Sequence, residues 1–213
     1  MRLSELSERS GVSTATIKYY LREQLLPQGR RITATQAEYD DSHLRRLRLV
    51  RALIQVGKVP VAAARDVLAA VDDETLGRTV RLGAALWALP RPPDADPTAP
   101  ATVRAREETE ALLTELGWDR AQDLGDLSPS YRTLVTTVAR LAELGYEVGA
   151  AQLAPYARQM EAVAEHDHDA LDALPEEVEK VETAVAATVL YEPVLLSLRR
   201  LAQEELAARR YGL

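Results

Sequence analysis

Residues 90 to 100, PRPPDADPTAP, hold five prolines in eleven positions. Proline fixes φ, lacks an N–H and pushes its predecessor out of the helical region. Neither a helix nor a strand runs through such a stretch. It reads as a stiff, extended linker and as the best domain boundary in the chain. Whatever folds here folds on either side of it.

On both sides the expected structure is helical. The chain has 213 residues, 46% hydrophobic, with two Trp, eight Tyr and no Phe. Its apolar surface is therefore mostly Leu, Val and Ala, and Ala and Leu are strong helix formers. There is no cysteine, which excludes disulfides, thiolate metal sites and Cys nucleophiles. Arg2, Glu5, Glu8 and Arg9 interrupt any apolar run at the start, so no signal peptide is expected. The longest membrane candidate, 184–198, is interrupted by Glu192 and Pro193. It falls short of the ~20 apolar residues of a span. The expectation is a cytoplasmic protein without a membrane partner.

The net charge of −7 conceals an asymmetry. Residues 1–72 carry 12 Lys+Arg and 8 Asp+Glu, a net of +4; the remaining 14 Lys+Arg and 25 Asp+Glu give −11. A basic head on an acidic body points to a polyanion met by the head alone.

Within the head, Leu3, Leu6 and Val12 frame a short helix over 4–10 that Gly11 ends. Ser13 is an N-cap for a second helix over 14–23. Ile17 and Leu21 share one face of it, Lys18 and Arg22 another. PQGRRITATQAEY (27–39) lacks a helical period and suits a short hairpin. A third helix from Asp40 or Asp41 carries Leu44, Leu47, Val50, Leu53 and Ile54, with arginines between them. Gly57 ends it, and Pro60 opens a fourth helix over 60–71. A fifth is expected over 74–89, capped by Asp73. Helix, glycine turn and a helix opening on small polar residues make a helix-turn-helix. Ser13, Thr14 and Thr16 can reach phosphates or base edges at its N-terminus, and Lys18 and Arg22 supply charge.

MRLSELSERSGVSTATIKYYLREQLLP resembles the start of MerR-family transcriptional regulators, whose motif runs xGVSxxTIRYYExxGLLxP. Gly11, Val12, Ser13, Thr16, Ile17, Tyr19, Tyr20, Leu25 and Leu26 match, and Pro27 stands one place before the motif's Pro. Lys18 stands where Arg is usual, and Gln24 where the family has Gly. DDSHLRRLRLVRALIQVG resembles the helix after the wing. The wing commonly carries Tyr-Arg-x-Tyr, against Gln36-Ala37-Glu38-Tyr39 here, so its phosphate-gripping Arg is replaced by Ala37. Arg30 and Arg31 are placed to compensate, and Lys58 belongs to a second wing. The resemblance implies a winged helix-turn-helix. Its DNA contacts are drawn from Ser13, Thr14, Thr16, Lys18, Tyr19, Tyr20, Arg22, Arg30, Arg31, Tyr39, Arg45, Arg46 and Lys58. One of the paired tyrosines packs on the wing and the other touches DNA. The family usually dimerises through a long helix after the fourth. In this chain that region carries two glycines and stops at Pro90.

The expected fold is all-α, with a small β wing. Residues 1–72 form the DNA-binding domain, 73–100 a connecting helix and Pro-rich linker, and 101–213 a helical effector-binding and dimerisation domain. Helices are expected over 101–116, 119–124, 129–146, 150–167 and 176–211, the last kinked or split near residue 192. The helical half loosely resembles TetR-type effector domains, which pair through their last two helices. Leu195, Leu198, Leu201, Ala202 and Leu206 form a stripe suited to that pairing or to packing within the subunit. Trp87, Trp118, Tyr131, Tyr146, Tyr156 and Tyr191 are candidates to line a pocket for a small apolar or cationic ligand, or else core. His166, Asp167, His168, Asp169 and Asp172 read as a polar helix end, with no metal and no cofactor. No P-loop, dinucleotide fingerprint or nucleophile elbow is present, so no enzyme is expected. The function implied is a homodimeric regulator that binds and distorts promoter DNA and acts on RNA polymerase indirectly. The alternative is a ligand-sequestering helical protein whose head has lost specific recognition.

Overall fold

The computed structural model describes the 213 residues apart from Ala34, Thr35, Glu147 and Leu213. Helix α1 (Leu3–Ser10) ends at Gly11, whose φ of 65° lies in the left-handed region that glycine enters without a Cβ penalty. The chain turns sharply, and the Ser7 hydroxyl donates to the Val12 carbonyl at 2.6 Å. Helix α2 (Thr14–Arg22) starts at Ser13, whose Oγ accepts from the Thr16 N–H at 3.1 Å.

The expected hairpin is present. β1 (Arg30–Arg31) pairs antiparallel with β2 (Ala37–Glu38), Arg30 opposite Glu38 and Arg31 opposite Ala37; Ala34 and Thr35, between them, lie outside the described residues. Helix α3 (Asp41–Arg51) runs into a π-helical turn at Ala52–Val56. The Asp40 carboxylate caps it, accepting from the Ser42 N–H at 3.0 Å. Helix α4 (Val61–Asp72) follows. Helix α5 (Arg78–Trp87) starts later than position 74 because Asp73 makes a local turn instead of a cap. Its carboxylate takes the Thr75 N–H two residues on, at 3.0 Å, a competing bond that Asp favours.

After the prolines come α6 (Pro100–Leu116), α7 (Asp119–Leu124), α8 (Pro129–Glu143), α9 (Ala150–Asp172) and α10 (Glu177–Tyr211). The split expected near residue 192 does not occur. Pro193 lies inside α10 and Pro155 inside α9. One proline removes one backbone bond, and the helical turns on both sides carry the chain through. Uninterrupted, α10 is long and apolar enough to cross a membrane by length and composition, contrary to the sequence expectation.

The chain divides into two compact units, Met1–Pro90 with Leu174–Leu213, and Arg91–Ala173. The first therefore takes α10 back from the far end of the sequence, rather than stopping where the 1–72 segment stops. Its core holds Leu6, Ile17, Leu25, Leu26, Leu47, Val50, Leu53, Val67, Leu68 and Val71, joined by Val181, Val185 and Val189 of α10. These three valines recur every four residues and share a face. Gly57 shows how close the approach is: a Cβ there would collide with Cγ1 of Val189. The second unit centres on Ala105, Leu113, Tyr131, Val135, Val138 and Ala139. Thr102, Thr109 and Thr136 are buried in it; the Thr109 hydroxyl donates back to the Ala105 carbonyl at 2.8 Å.

Candidate nucleic-acid interface

Helix α2 has two chemically distinct faces. Ile17 and Tyr20 are buried, at 0% and 4% exposure. Ser13, Thr14, Lys18 and Arg22 are exposed, and Thr16 and Tyr19 half-buried. The outer face is thus short hydroxyls at the helix start and two cations one turn apart. The Ser13 and Thr16 hydroxyls lie 2.8 Å apart. The N-terminal amides also carry the positive end of the helix dipole.

The tyrosine pair resolves into two roles. Tyr20 is core, and burial raises its phenol pKa against the lowering effect of nearby Arg51. Tyr19 stays at the surface. Its ring packs tilted on Tyr20 at 5.9 Å between centroids, and the Arg22 guanidinium sits over it at 5.8 Å. A phenol available to a phosphate therefore belongs to Tyr19. The expected contacts at Tyr20 and Tyr39 are turned inward: Tyr39 is 7% exposed, its ring edge-on to His43. Its carbonyl accepts from the Met1 ammonium at 2.6 Å.

In the wing, Arg30 pairs with Glu38, and this bond holds the Glu38 carboxyl below its usual pKa. Arg31 is exposed beside it. Lys58 is exposed in the turn before α4, with φ at 53°. Gln24, standing at the family's glycine position, takes φ 60°, the conformation that explains the glycine.

The arginines of α3 are divided. Arg46, expected to reach DNA, is 6% exposed. It pairs with Asp72 and, at 3.4 Å, with Glu182 of α10. Arg45 lies 3.8 Å from both Glu176 and Glu182. These two bind the protein to itself because α10 brings carboxylates over that end of α3. Burial raises the Glu182 pKa, with Arg46 and then Arg45 pulling it down.

Three side chains not singled out from the sequence brace the first unit, two of them at the ends of the recognition helix. Arg51 donates to the Ser10 carbonyl at 3.0 Å, behind the α1–α2 turn. Arg65 of α4 grips the other end, donating to the Glu23 carbonyl at 2.9 Å and its carboxylate at 2.8 Å. Glu182 anchors α10. Arg65 in VAAARDVLAAV and Glu182 in VETAVAATV are charges within apolar runs, and that isolation was the available signal.

The ligand candidates do not gather. Trp87, Tyr146, Tyr156 and Tyr191 are exposed, at 45%, 63%, 59% and 51%, and Tyr131 is core. Trp118 lines an open cavity of about 860 Å³ in the second unit, with Ala121, Met160, Ala164, Glu165 and Asp169. Its indole N–H donates to Glu161 at 3.0 Å. Among the described residues, no three His, Asp or Glu are grouped to hold a metal ion.

The model of the MerR helix-turn-helix family of regulatory proteins matches residues 1–71. No curated protein matches the chain. A solved structure does over its full length: "the putative transcriptional regulator SCO5550 from Streptomyces coelicolor A3(2)", at 57% identity, covering 100% of this chain and 99% of that one, with a TM-score of 0.86. With the helix-turn-helix, the wing and the exposed hydroxyl-and-cation face already in place, the chain belongs to the MerR family of DNA-binding transcriptional regulators.

Proposed function

We propose that this regulator is a cytoplasmic homodimer that seats α2 in the major groove at each half of a two-fold promoter site. The observation that carries this is the outer face of α2, with Thr14, Lys18 and Arg22 exposed over a base locked by Ile17 and Tyr20. Ser13, Thr14, Thr16, Lys18, Tyr19 and Arg22 contact DNA from the helix. Arg30, Arg31 and Lys58 grip flanking phosphates. Two-fold protein symmetry matches two-fold DNA symmetry. Groove and backbone contacts on both halves favour a distorted duplex, which alters how RNA polymerase reads the promoter. The protein is not an enzyme: its chemistry is recognition.

Arg91–Ala173 is the part that senses a signal, and the cavity beside Trp118 is where a small apolar or cationic ligand binds. Glu161, Glu165 and Asp169, four residues apart along α9, give that cavity a negative edge.

The test is fluorescence anisotropy with DNA flanking the gene and scrambled DNA as competitor, at two salt concentrations. Lys18→Ala, which removes one lysine from each half-site, should weaken binding at least about tenfold and reduce the salt slope by about two. Tyr19→Phe should also weaken it, and Arg46→Lys should leave it unchanged. Equal affinity of the wild type for both DNAs would overturn the reading.

A further inference from the structure

A second cavity lies within the Arg91–Ala173 unit and shares no lining residue with the one beside Trp118. It measures about 270 Å³, just under the ~300–1,000 Å³ of most small-molecule pockets, so its occupant must be small. One wall is the linker. The Ala95 N–H donates to the buried Thr136 hydroxyl of α8 at 3.1 Å, and the Pro93 carbonyl accepts from Arg140 at 3.4 Å. Helices α6 and α8 make the other walls. Ala95, Pro97 and Val135 supply apolar surface.

The polar groups around this cavity are unequally used. Its two carboxylates are occupied. The Arg91 guanidinium donates to both oxygens of Asp94, and Arg106 donates to both oxygens of Asp126 at 2.8 Å. Two donors are left over. Thr102 lines the cavity at 3% exposure, and its hydroxyl has no hydrogen-bond partner among the described residues. In a helix a threonine takes either of two χ1 positions, and one rotation exchanges its methyl and hydroxyl. The Arg132 Nε–H is also buried without a hydrogen bond; it lies 3.4 Å from Oδ2 of Asp94 but is not aligned with it. A buried donor left unmade costs free energy that an acceptor restores. Thr102 stands in the first turn of α6, which has no side-chain cap, and the positive end of that helix favours negative charge.

We propose that this cavity binds a small organic carboxylate. Its oxygens accept from the Thr102 hydroxyl and the Arg132 guanidinium, and its apolar body lies on Ala95, Pro97 and Val135. A planar carboxylate suits a guanidinium edge. An ammonium ligand would have to displace Arg91 or Arg106 from its carboxylate. The charge class is therefore opposite to the one assigned to the Trp118 cavity, and the two sites are independent. Because the ligand touches the linker together with α6 and α8, binding fastens the segment through which the chain leaves the first unit.

The test is calorimetry on the full chain with sodium isovalerate and sodium benzoate at millimolar concentrations. Isoamylamine hydrochloride serves as the cationic counterpart and inorganic phosphate as the anion without an apolar body. At least one carboxylate should bind saturably, one per chain, and more tightly than either control. Thr102→Val removes the hydroxyl and keeps the shape. It should weaken carboxylate binding about tenfold, and leave the melting temperature of the unliganded chain unchanged or higher, because an unpaired buried group is gone. Arg132→Lys keeps the charge, removes the Nε–H and should also weaken binding. No saturable binding of either carboxylate would overturn the proposal, as would equal binding of the amine or of phosphate. Unchanged binding in Thr102→Val would do the same. Binding lost in Trp118→Ala but kept in Thr102→Val would place the carboxylate in the other cavity, overturning this site and the cationic preference assigned there.

Discussion

The two compact units keep their shape by different means. The first buries large aliphatic side chains from helices at both ends of the sequence, with Leu6, Ile17, Leu47 and Leu53 at 0% exposure. Arg51, Arg65 and the Arg46–Glu182 pair cross-brace it. The second packs alanines, valines, Leu113 and one tyrosine, and fills part of its interior with threonines, of which Thr109 bonds to its own helix and Thr136 to the linker. Smaller side chains bury less area and so hold less tightly. A reader of DNA needs a fixed recognition helix; the sensor role proposed for the second unit would need a part that yields. The contrast fits that division of labour.

Leu47→Ala against Leu113→Ala is the widest test of it. The first should cost about 4 kcal/mol and the second about 2, both within the range for buried Leu→Ala. Denaturant titration checks this with Trp87 reporting the first unit and Trp118 the second. Equal costs would break the comparison. Next is Arg46→Ala, which leaves Glu182 buried without its closest cation; about 3 kcal/mol should be lost. A loss under ~0.5 kcal/mol, typical of an exposed pair, would mean that α10 is held by its valines alone.

A smaller effect separates two carboxylates of the first unit by pH. The Ser42 hydroxyl, then His43, hold the Asp40 carboxyl well below the usual range. Its capping contribution is therefore full above the ordinary carboxylate pKa and lost as pH falls below it. Asp40→Ala should cost about 1 kcal/mol at neutral pH. Glu182 has the opposite sign. Its raised pKa means that the fold holds that proton more tightly than the open chain, so this contribution falls as pH rises through the raised value. Thermal melts of Asp40→Ala and Glu182→Gln across pH 3–7 should diverge from wild type in opposite directions. The smallest effect is a gain. Gln24→Gly relieves a positive φ at the end of the recognition helix and should stabilise by about 0.5–1 kcal/mol, measurable as a higher melting temperature. No gain would mean that the Gln24 side chain contributes something the turn needs.

How much was legible depended on how local the cause was. Ser13 as a cap, Gly11 as a turn and the hairpin all follow from residues a few positions apart, and each is present. The late start of α5 was missed because Asp73 had two local bonds available and took the turn. The span of α10 was legible, but the split near residue 192 does not occur because one proline is a local penalty that a long helix absorbs. At the candidate interface, the exposed positions Thr14, Lys18 and Arg22 were readable from helical period. The fates of Tyr19 against Tyr20, and of Arg45 and Arg46, were not. The two tyrosines are adjacent in sequence and only packing separates them; the two arginines are turned inward together by carboxylates far along the chain.

The sequence by itself determined the helix-turn-helix, the wing, the family and the charge asymmetry, because short-range periodicity, capping and motif spacing suffice for those. Only the tertiary structure decided that the last helix returns to the first domain. A cation such as Arg46 serves DNA or the protein's own interior according to whether a carboxylate such as Glu182, 136 positions further on, comes to lie beside it. Long-range pairing of that kind is a property of packing, and no local pattern encodes it.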